Sequence, residues 1–312
     1  MICEHGDSFR HEALFYDDDD AFLDGTLEFI EAGAAAGEPM LVVVDSRKIG
    51  MLRGELNGDT EQVSFLDMEQ VGQNPARIIP LWREFVDANV RPGAGARGIG
   101  EPVWPARTAA ELAECQLHEA LLNVAFDDGD AWSLLCPYDS SAFPEDVLEE
   151  ARRSHPVLTG SGGELASPAF DADAVPRPFD GELPEPAGPV SELRFGAADV
   201  AAARAFVMAH AEDAGLERVS IENLVLAVSE LATNSVQHAT GAGTVRLWTE
   251  EDSLLCEIRD GGVIEEPLVG RVVPPADALG GRGIWIVNQL CDLVQVRSLP
   301  QGTAVRIHMR RP

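Results

Sequence analysis

The sequence predicts an α/β protein of two domains, and three observations carry that expectation. A chain of 312 residues is longer than one ordinary small domain and suits two. From His11 to about Pro156 short apolar runs alternate with helical stretches, the pattern of a mainly parallel sheet covered on both faces. After an interval rich in proline and glycine, a second set of strands and helices runs from Val190 to the end. The expected bounds are therefore 1–156, a linker over 157–189, and 190–312.

In the first half, Met40 to Val44, Gln62 to Leu66, Gly98 to Gly100 and Trp132 to Cys136 read as buried strands. Ala21 to Ala36, Ser46 to Leu56, Pro75 to Val90 and Ala109 to Phe126 read as helices. Ligands in such sheets sit at the carboxyl ends of the strands, where Asp45, Asp67, Glu101 and the Pro137-Tyr138-Asp139 run fall. Asp45 and Asp67 are expected to be helix caps, while Glu101 stays open between loop polarity and a site. The acidic run Asp17 to Asp20 precedes a helix and suits its positive N-terminal end; a calcium loop would need a spaced pattern, which is absent. Along the helix from Ala109, Glu111, Cys115, His118 and Glu119 share one side, with Asn123 a turn later. Cys115 and His118 could hold a metal together with Cys3, His5 or His11. Without a convergent ligand set, a core helix with one polar edge is the expectation.

The stretch 156–189 holds 7 of the 20 prolines, the run Ser161-Gly162-Gly163 and mostly acidic charge, the composition of an extended tether, with packing of its start on the first domain left open. Beyond it, Val190 to Phe195 alternates like an edge strand, Ala197 to Ala214 is an alanine-rich helix, and Arg218 to Ala239 is a second helix. Its apolar residues Ile221, Leu224, Val225, Val228 and Leu231 recur at steps of three and four, so one face is dry. On another face Glu230, Asn234 and His238 stack at i, i+4 and i+8. A carboxylate can orient or deprotonate a hydroxyl, and an amide oxygen is a hard ligand for Mg²⁺ beside phosphates. Strands are expected at Thr244 to Thr249, Leu254 to Asp260, Leu293 to Arg297 and Ala304 to His308, with a helix from Gly281 to Leu290. Together these make a helical layer on a mixed sheet. The proline-rich loop from Gly261 to Gly280 between two glycine turns reads as a lid.

Composition narrows the partners. With 53 acidic against 23 basic side chains the net charge is −30, which opposes nucleic acid and anionic lipid. Five scattered cysteines without a C-x-x-C pair read as reduced and intracellular. No apolar run approaches about 18 residues and no basic leader opens the chain, so a soluble cytoplasmic protein is expected. Lys48, the only lysine, has no glycine-rich loop ahead of it, and H-R-D and D-F-G elements are missing.

Three segments of the second half occur in a fixed order: E-L-x-x-N-x-x-x-H at Glu230 to His238, D-x-G at Asp260 to Gly262, and G-G-R-G-I at Gly280 to Ile284. They resemble the nucleotide-binding motifs of the gyrase/histidine-kinase/MutL ATPase superfamily and, more narrowly, of the anti-sigma-factor serine/threonine kinases of bacterial partner switching. The resemblance spans about Val190 to Arg311 and implies an α/β sandwich binding ATP and Mg²⁺. It implies that Asp260 accepts from the adenine amino group, that Gly262 leaves room for the ring, and that Asn234 ligates Mg²⁺. Gly280, Gly281 and Gly283 would let backbone N–H groups reach the phosphates at a helix N-terminus. Glu230 would be the general base or hydroxyl-orienting group, and His238 a phosphate or lid contact or a structural histidine. Arg282 and Arg271 are either charge-assisted phosphate contacts or solvated surface.

His11 to Tyr16, Gly37 to Met40, Glu101 to Trp104 and Leu134 to Asp139 resemble the MEDS sensory domain, which implies a RecA/KaiC-like fold without a phosphate loop and a role in signal reception. The combined expectation is a kinase that phosphorylates a STAS-type anti-sigma-factor antagonist and sequesters a sigma factor, gated by the first domain, with homodimerisation implied by resemblance alone. Two alternatives stand beside it. One is a sensor histidine kinase, although His155 and His210 lack paired long helices. The other is a module that binds ATP and sequesters without transferring phosphate.

Overall fold

The computed structural model describes residues 8–56, 62–91, 93–127, 129, 131–160, 163–171, 181–275 and 281–312. The chain divides into two compact units, Met1–Pro176 and Arg177–Pro312.

The first unit runs β1 (Arg10–Tyr16), α1 (Asp19–Ala36), β2 (Met40–Val44), α2 (Ser46–Glu55), β3 (Val63–Asp67), α3 (Met68–Val71), a 3₁₀ turn at Pro75–Arg77, α4 (Ile78–Asn89), β4 (Ala96–Gly100), α5 (Ala109–Ala125), β5 (Trp132–Asp139), α6 (Glu145–Ser154), β6 (Val157–Gly160) and β7 (Gly163–Ala166). Its sheet has the order β3-β2-β4-β5-β1-β6-β7. All neighbours are parallel except the antiparallel pair β6 and β7. Every residue of β2 is buried, as a strand covered on both faces must be. Asp18 accepts from the Ala21 N–H, and Asp19 and Asp20 fill the first turn of α1, so the acidic run serves a helix start. Asp45 and Asp67 likewise cap α2 and α3.

Glu101 has a structural role. Lys48 Nζ lies 2.5 and 2.6 Å from its two oxygens, and the Tyr16 hydroxyl donates to Oε1 at 2.7 Å, all beneath the surface. The only lysine of the chain thus closes a buried ion pair where β1, β2 and β4 end. Burial and the Glu101 carboxylate push the Tyr16 phenol well above its ordinary value.

The stretch 157–189 packs at both ends: its start joins the first sheet, an option the sequence left open, and its far end lies on the second unit. β6 pairs in parallel with β1, from Glu12 opposite Val157 to Leu14 opposite Thr159, and β7 folds back on β6 around Gly163 at φ +87°. The glycine there serves a turn, because only glycine takes that φ without strain. α6 was not anticipated either, although its acidic first turn and basic last turn match the helix dipole.

The second unit runs β8 (Ser191–Gly196), α7 (Val200–Asp213), α8 (Arg218–His238), β9 (Ala242–Glu250), β10 (Ser253–Asp260), α9 (Arg282–Leu290), β11 (Leu293–Leu299) and β12 (Gly302–Arg310). The sheet order is β11-β12-β10-β9-β8, and each neighbouring pair is antiparallel rather than mixed as expected. Turns of two residues join β9 to β10 and β11 to β12, and links that short allow only antiparallel neighbours. Leu254, Cys256 and Ile258 of β10 and Val305, Ile307 and Met309 of β12 face a core shared with Leu224, Val228 and Leu231 of α8 and Val287 of α9.

The opposite sheet face carries Glu257, fully buried, directly across from Arg246 of β9 and Arg306 of β12. Arg246, Arg259 and Arg306 approach it to 2.8, 2.6 and 2.6 Å. The end of the expected tether lies on these arginines. Glu185 bonds Arg246 and Arg259 at 2.7 and 2.6 Å, Arg306 donates to the Pro184 carbonyl, and Leu183 is buried. The two guanidinium groups hold the Glu185 carboxyl at about 2, below its ordinary 4.5. A carboxylate depressed in the folded state contributes stability that is present above its unfolded value and lost as pH falls through its folded one. Glu185 is 63% exposed, so screening keeps that contribution small. The expected readout is the Glu185 side-chain carbon shift, titrating near pH 2 in the folded chain and nearer 4.5 in Arg246→Ala.

Candidate functional site

Alternation along β10 decides where the site falls. If Leu254, Cys256 and Ile258 face the helices, Asp260 does too, and its carboxylate is delivered to the underside of α8. There Ser235, buried on the dry face, donates to Asp260 Oδ2 at 2.5 Å, while the Gly262 N–H donates to Oδ1 at 2.8 Å. Thr303 stands opposite Asp260 in the β10–β12 register and donates to the Gly262 carbonyl at 2.9 Å. Ser298 lies 3.0 Å from the Thr303 hydroxyl and accepts from the Ile264 N–H at 2.7 Å, tying the start of the loop after β10 to β11.

Ser235, Asp260, Gly262 and Thr303 form the floor of a pocket of about 190 Å³. Leu231, Ile258, Ile264, Ile284 and Val305 supply apolar walls, and Asn234 and His238 of α8 join Gly281 and Gly283 of α9 around it. Three glycines have a steric reason. A Cβ on Gly262 would lie 2.9 Å from Ala239 Cβ, one on Gly283 2.6 Å from Asn234 Nδ2, and one on Gly302 2.2 Å from the Asp260 carbonyl oxygen. Gly281 needs freedom of backbone instead: at φ +81° it is the N-cap of α9, where no side chain caps the first turn.

Of the expected site residues, Asn234, His238, Asp260, Gly262, Gly281 and Gly283 line this one pocket. Glu230 is half-buried one turn before Asn234 and is not among the lining residues. Arg282 is exposed and donates to the Pro275 carbonyl at 3.0 Å. Gly280 lies outside the described residues. Arg271, weighed against a solvated position, is 5% exposed. Its loop is fastened to α9 where Asn288 donates to the Gly270 carbonyl at 2.9 Å. The described part of that loop, 261–275, has no helix or strand and lines the pocket with Val263, Ile264 and Val269.

Sequence reasoning missed Ser235, Thr303 and Ser298. Ser235 had a signal, since it continues the dry stripe one turn after Leu231, where a hydroxyl is out of place. Thr303 could have been found by registering the Gly302 turn against Asp260. In the first unit, Cys115 and His118 do not form the metal pair weighed against a core helix, and α5 is buried along the side that carries them. The Cys115 thiol donates to the Pro102 carbonyl at 3.2 Å, and burial pushes it up to about 12. Cys3 and His5 lie outside the described residues.

Among the described residues of the second unit, three helices on a five-stranded antiparallel sheet, with a pocket between one helix, a strand end and a glycine-started helix, define an α/β sandwich with a candidate ligand site. Residues 194–309 match the family described as histidine kinase-like ATPase domain. Residues 10–156 match MEDS, the methanogen/methylotroph DcmR sensory domain. The chain thus carries a MEDS sensory domain followed by a histidine kinase-like ATPase domain. No curated protein matches it. Among solved structures, it is similar to the RsbU and RsbW domains of Rv1364c from Mycobacterium tuberculosis at 17% identity and TM-score 0.30. That match covers 40% of this chain and 34% of the mycobacterial one. It is also similar to the Acinetobacter baumannii histidine kinase AdeS at 12% identity and TM-score 0.24, over 38% of this chain and 67% of that one. Among the described residues no helix is long and apolar enough to cross a membrane.

Proposed function

We propose that the second unit binds Mg²⁺·ATP and acts as a serine/threonine kinase on a STAS-type anti-sigma-factor antagonist, sequestering a sigma factor in the alternative complex. The observation that supports this best is the Asp260 carboxylate on the floor of an apolar pocket, oriented by Ser235 and Gly262. A carboxylate so held accepts from an exocyclic amine, and the walls beside it suit a flat base. The pocket is smaller than the roughly 300 Å³ at which drug-sized sites begin, so sugar and phosphates would extend past Asn234 toward Gly281 and Gly283. The N-terminus of α9 would meet the phosphates with backbone N–H groups and a favourable dipole. Mg²⁺ keeps several waters and needs few protein ligands beside phosphate oxygens, so the Asn234 amide oxygen suffices for it. Glu230 would orient the acceptor hydroxyl, Arg282 and His238 would flank the phosphates, and the MEDS unit would gate the switch in the cytoplasm. Met208, Val219 and Leu226, exposed apolar residues of α7 and α8, offer surface for a second copy.

One observation favours a second reading: Glu230 is not among the pocket's lining residues, which suits a module that holds ATP and sequesters without transfer. A histidine kinase is the weaker alternative, since His155 is fully buried. Incubation with labelled ATP and candidate antagonists separates the three. The expected product is phosphoserine or phosphothreonine on the antagonist. Tight ATP binding with no transfer supports the second reading, and phosphohistidine on the chain itself overturns both.

A further inference from the structure

In the first unit, far from the ATP motifs in sequence, four side chains from four segments converge in the core. His11 comes from β1, Glu119 from α5, Cys136 from β5, and His155 directly follows α6. Each is at most 1% exposed, and one ligand atom from each lies within 4.8 Å of all the others. The sheet register explains half of this, since His11 pairs with Leu134 and Cys136 is two residues further along the same face of β5.

The hydrogen bonds fix both imidazole tautomers. Asn123 donates through Nδ2 to the Ser154 carbonyl at 2.8 Å, so its Oδ1, 3.2 Å from His11 Nδ1, accepts. His155 Nδ1 lies 2.7 Å from the Ala151 carbonyl, which can only accept. Both rings therefore carry a proton on Nδ1, and a neutral ring presents an Nε2 lone pair to the centre. His11 Nε2 is 3.1 Å and His155 Nε2 3.4 Å from Glu119 Oε2. His155 Nε2 and Glu119 Oε1 are buried without a hydrogen-bond partner. With both rings neutral, the Cys136 thiol, 3.5 Å from His11 Nε2, is the donor these acceptors share, and a cation among them would satisfy the rest.

We propose that His11, Glu119, Cys136 and His155 are the ligands of a buried tetrahedral Zn²⁺ site. With metal–nitrogen distances of about 2.0–2.1 Å and metal–sulfur of about 2.3 Å, a tetrahedron has edges of about 3.3 Å between light atoms and about 3.5 Å from nitrogen to sulfur. Three of the six separations are 3.1 and 3.4 Å to Glu119 Oε2 and 3.5 Å from His11 Nε2 to Cys136 Sγ, and all six lie within 4.8 Å, so the site closes around an ion with small shifts. Two neutral imidazoles, a thiolate and a carboxylate also balance a divalent charge, so the loaded site is neutral in the core. Binding displaces the thiol proton to solvent and involves no redox change. Asn123 and the Ala151 carbonyl are the outer partners that orient metal-bound histidines. Four protein ligands leave no open position, so the ion acts as a staple joining β1, β5, α5 and the end of α6.

The test uses the full chain. Purified from zinc-supplemented medium and desalted, it is expected to carry one zinc per chain and to lose thermal stability when a strong chelator removes it. Refilling with Co²⁺ should give the intense visible bands of a tetrahedral site with thiolate-to-cobalt charge transfer. Cys136→Ser should lose the charge-transfer band, and Asn123→Ala should weaken affinity by about 10- to 100-fold. Substoichiometric zinc together with no cobalt spectrum would overturn the site and leave a buried histidine–glutamate ion pair. A charge-transfer band unchanged in Cys136→Ser would overturn the ligand set. Should the variants not fold, wild-type stoichiometry and the cobalt spectrum still decide. ATP titration of the chelated chain serves as an independent control on the second unit.

Discussion

Replacing Asp260 by alanine is expected to weaken Mg²⁺·ATP binding by about 10- to 150-fold in calorimetry while the chain stays folded. The size follows from the hydrogen bond it would remove: one to a charged group contributes about 1.5–3 kcal/mol, and each 1.4 kcal/mol is tenfold in affinity. The fold should tolerate the change because Asp260 ends its strand, and the Ser235 hydroxyl also reaches the Leu231 carbonyl at 3.1 Å. The Gly262 N–H loses its acceptor at the pocket's half-exposed edge, a smaller loss than in a closed core. A companion variant sharpens the result. Glu230→Gln should leave ATP affinity within about twofold and reduce phosphate transfer, because a group outside the pocket acts on turnover rather than on nucleotide binding. Unchanged ATP affinity in Asp260→Ala would mean the base is read elsewhere, and the assignment of this pocket would fall.

What was legible in the sequence was local. The period of α8, the alternation of β10 and the glycine turns are set by neighbours within a few residues, while the roles expected of Asp260, Asn234 and Gly283 came from the resemblance of the three motifs. What was not legible depends on partners far along the chain. β6 reads as tether because a strand of four half-buried residues shows little until its partner β1, some 145 residues away, is in place. Glu257 would have looked like solvated polarity, yet the register places it between Arg246 and Arg306. Likewise His11 and Glu119, considered separately beside Cys115, meet Cys136 and His155 only through strand pairing and helix packing. Spacing shows which residues share an element; it does not show which elements share a core.

Lys48 tests that lesson energetically. Lys48→Met keeps the length of the side chain and removes its charge, leaving Glu101 and the Tyr16 hydroxyl together in a site where the lysine made bonds of 2.5, 2.6 and 2.7 Å. Breaking a buried pair on one side costs about 3–5 kcal/mol, chiefly the penalty of an uncompensated carboxylate. For a unit of about 150 residues this corresponds to a fall of about 10 °C or more in the unfolding midpoint of the first unit, read by calorimetry. The second unit's transition should not move. Adding Glu101→Leu removes the stranded charge, and since apolar replacement of a whole buried pair is often neutral or stabilising, the double variant should regain most of the loss. If the double variant is instead as unstable as the sum of the singles, the two side chains are not coupled, and Glu101 does not owe its buried position to the lysine.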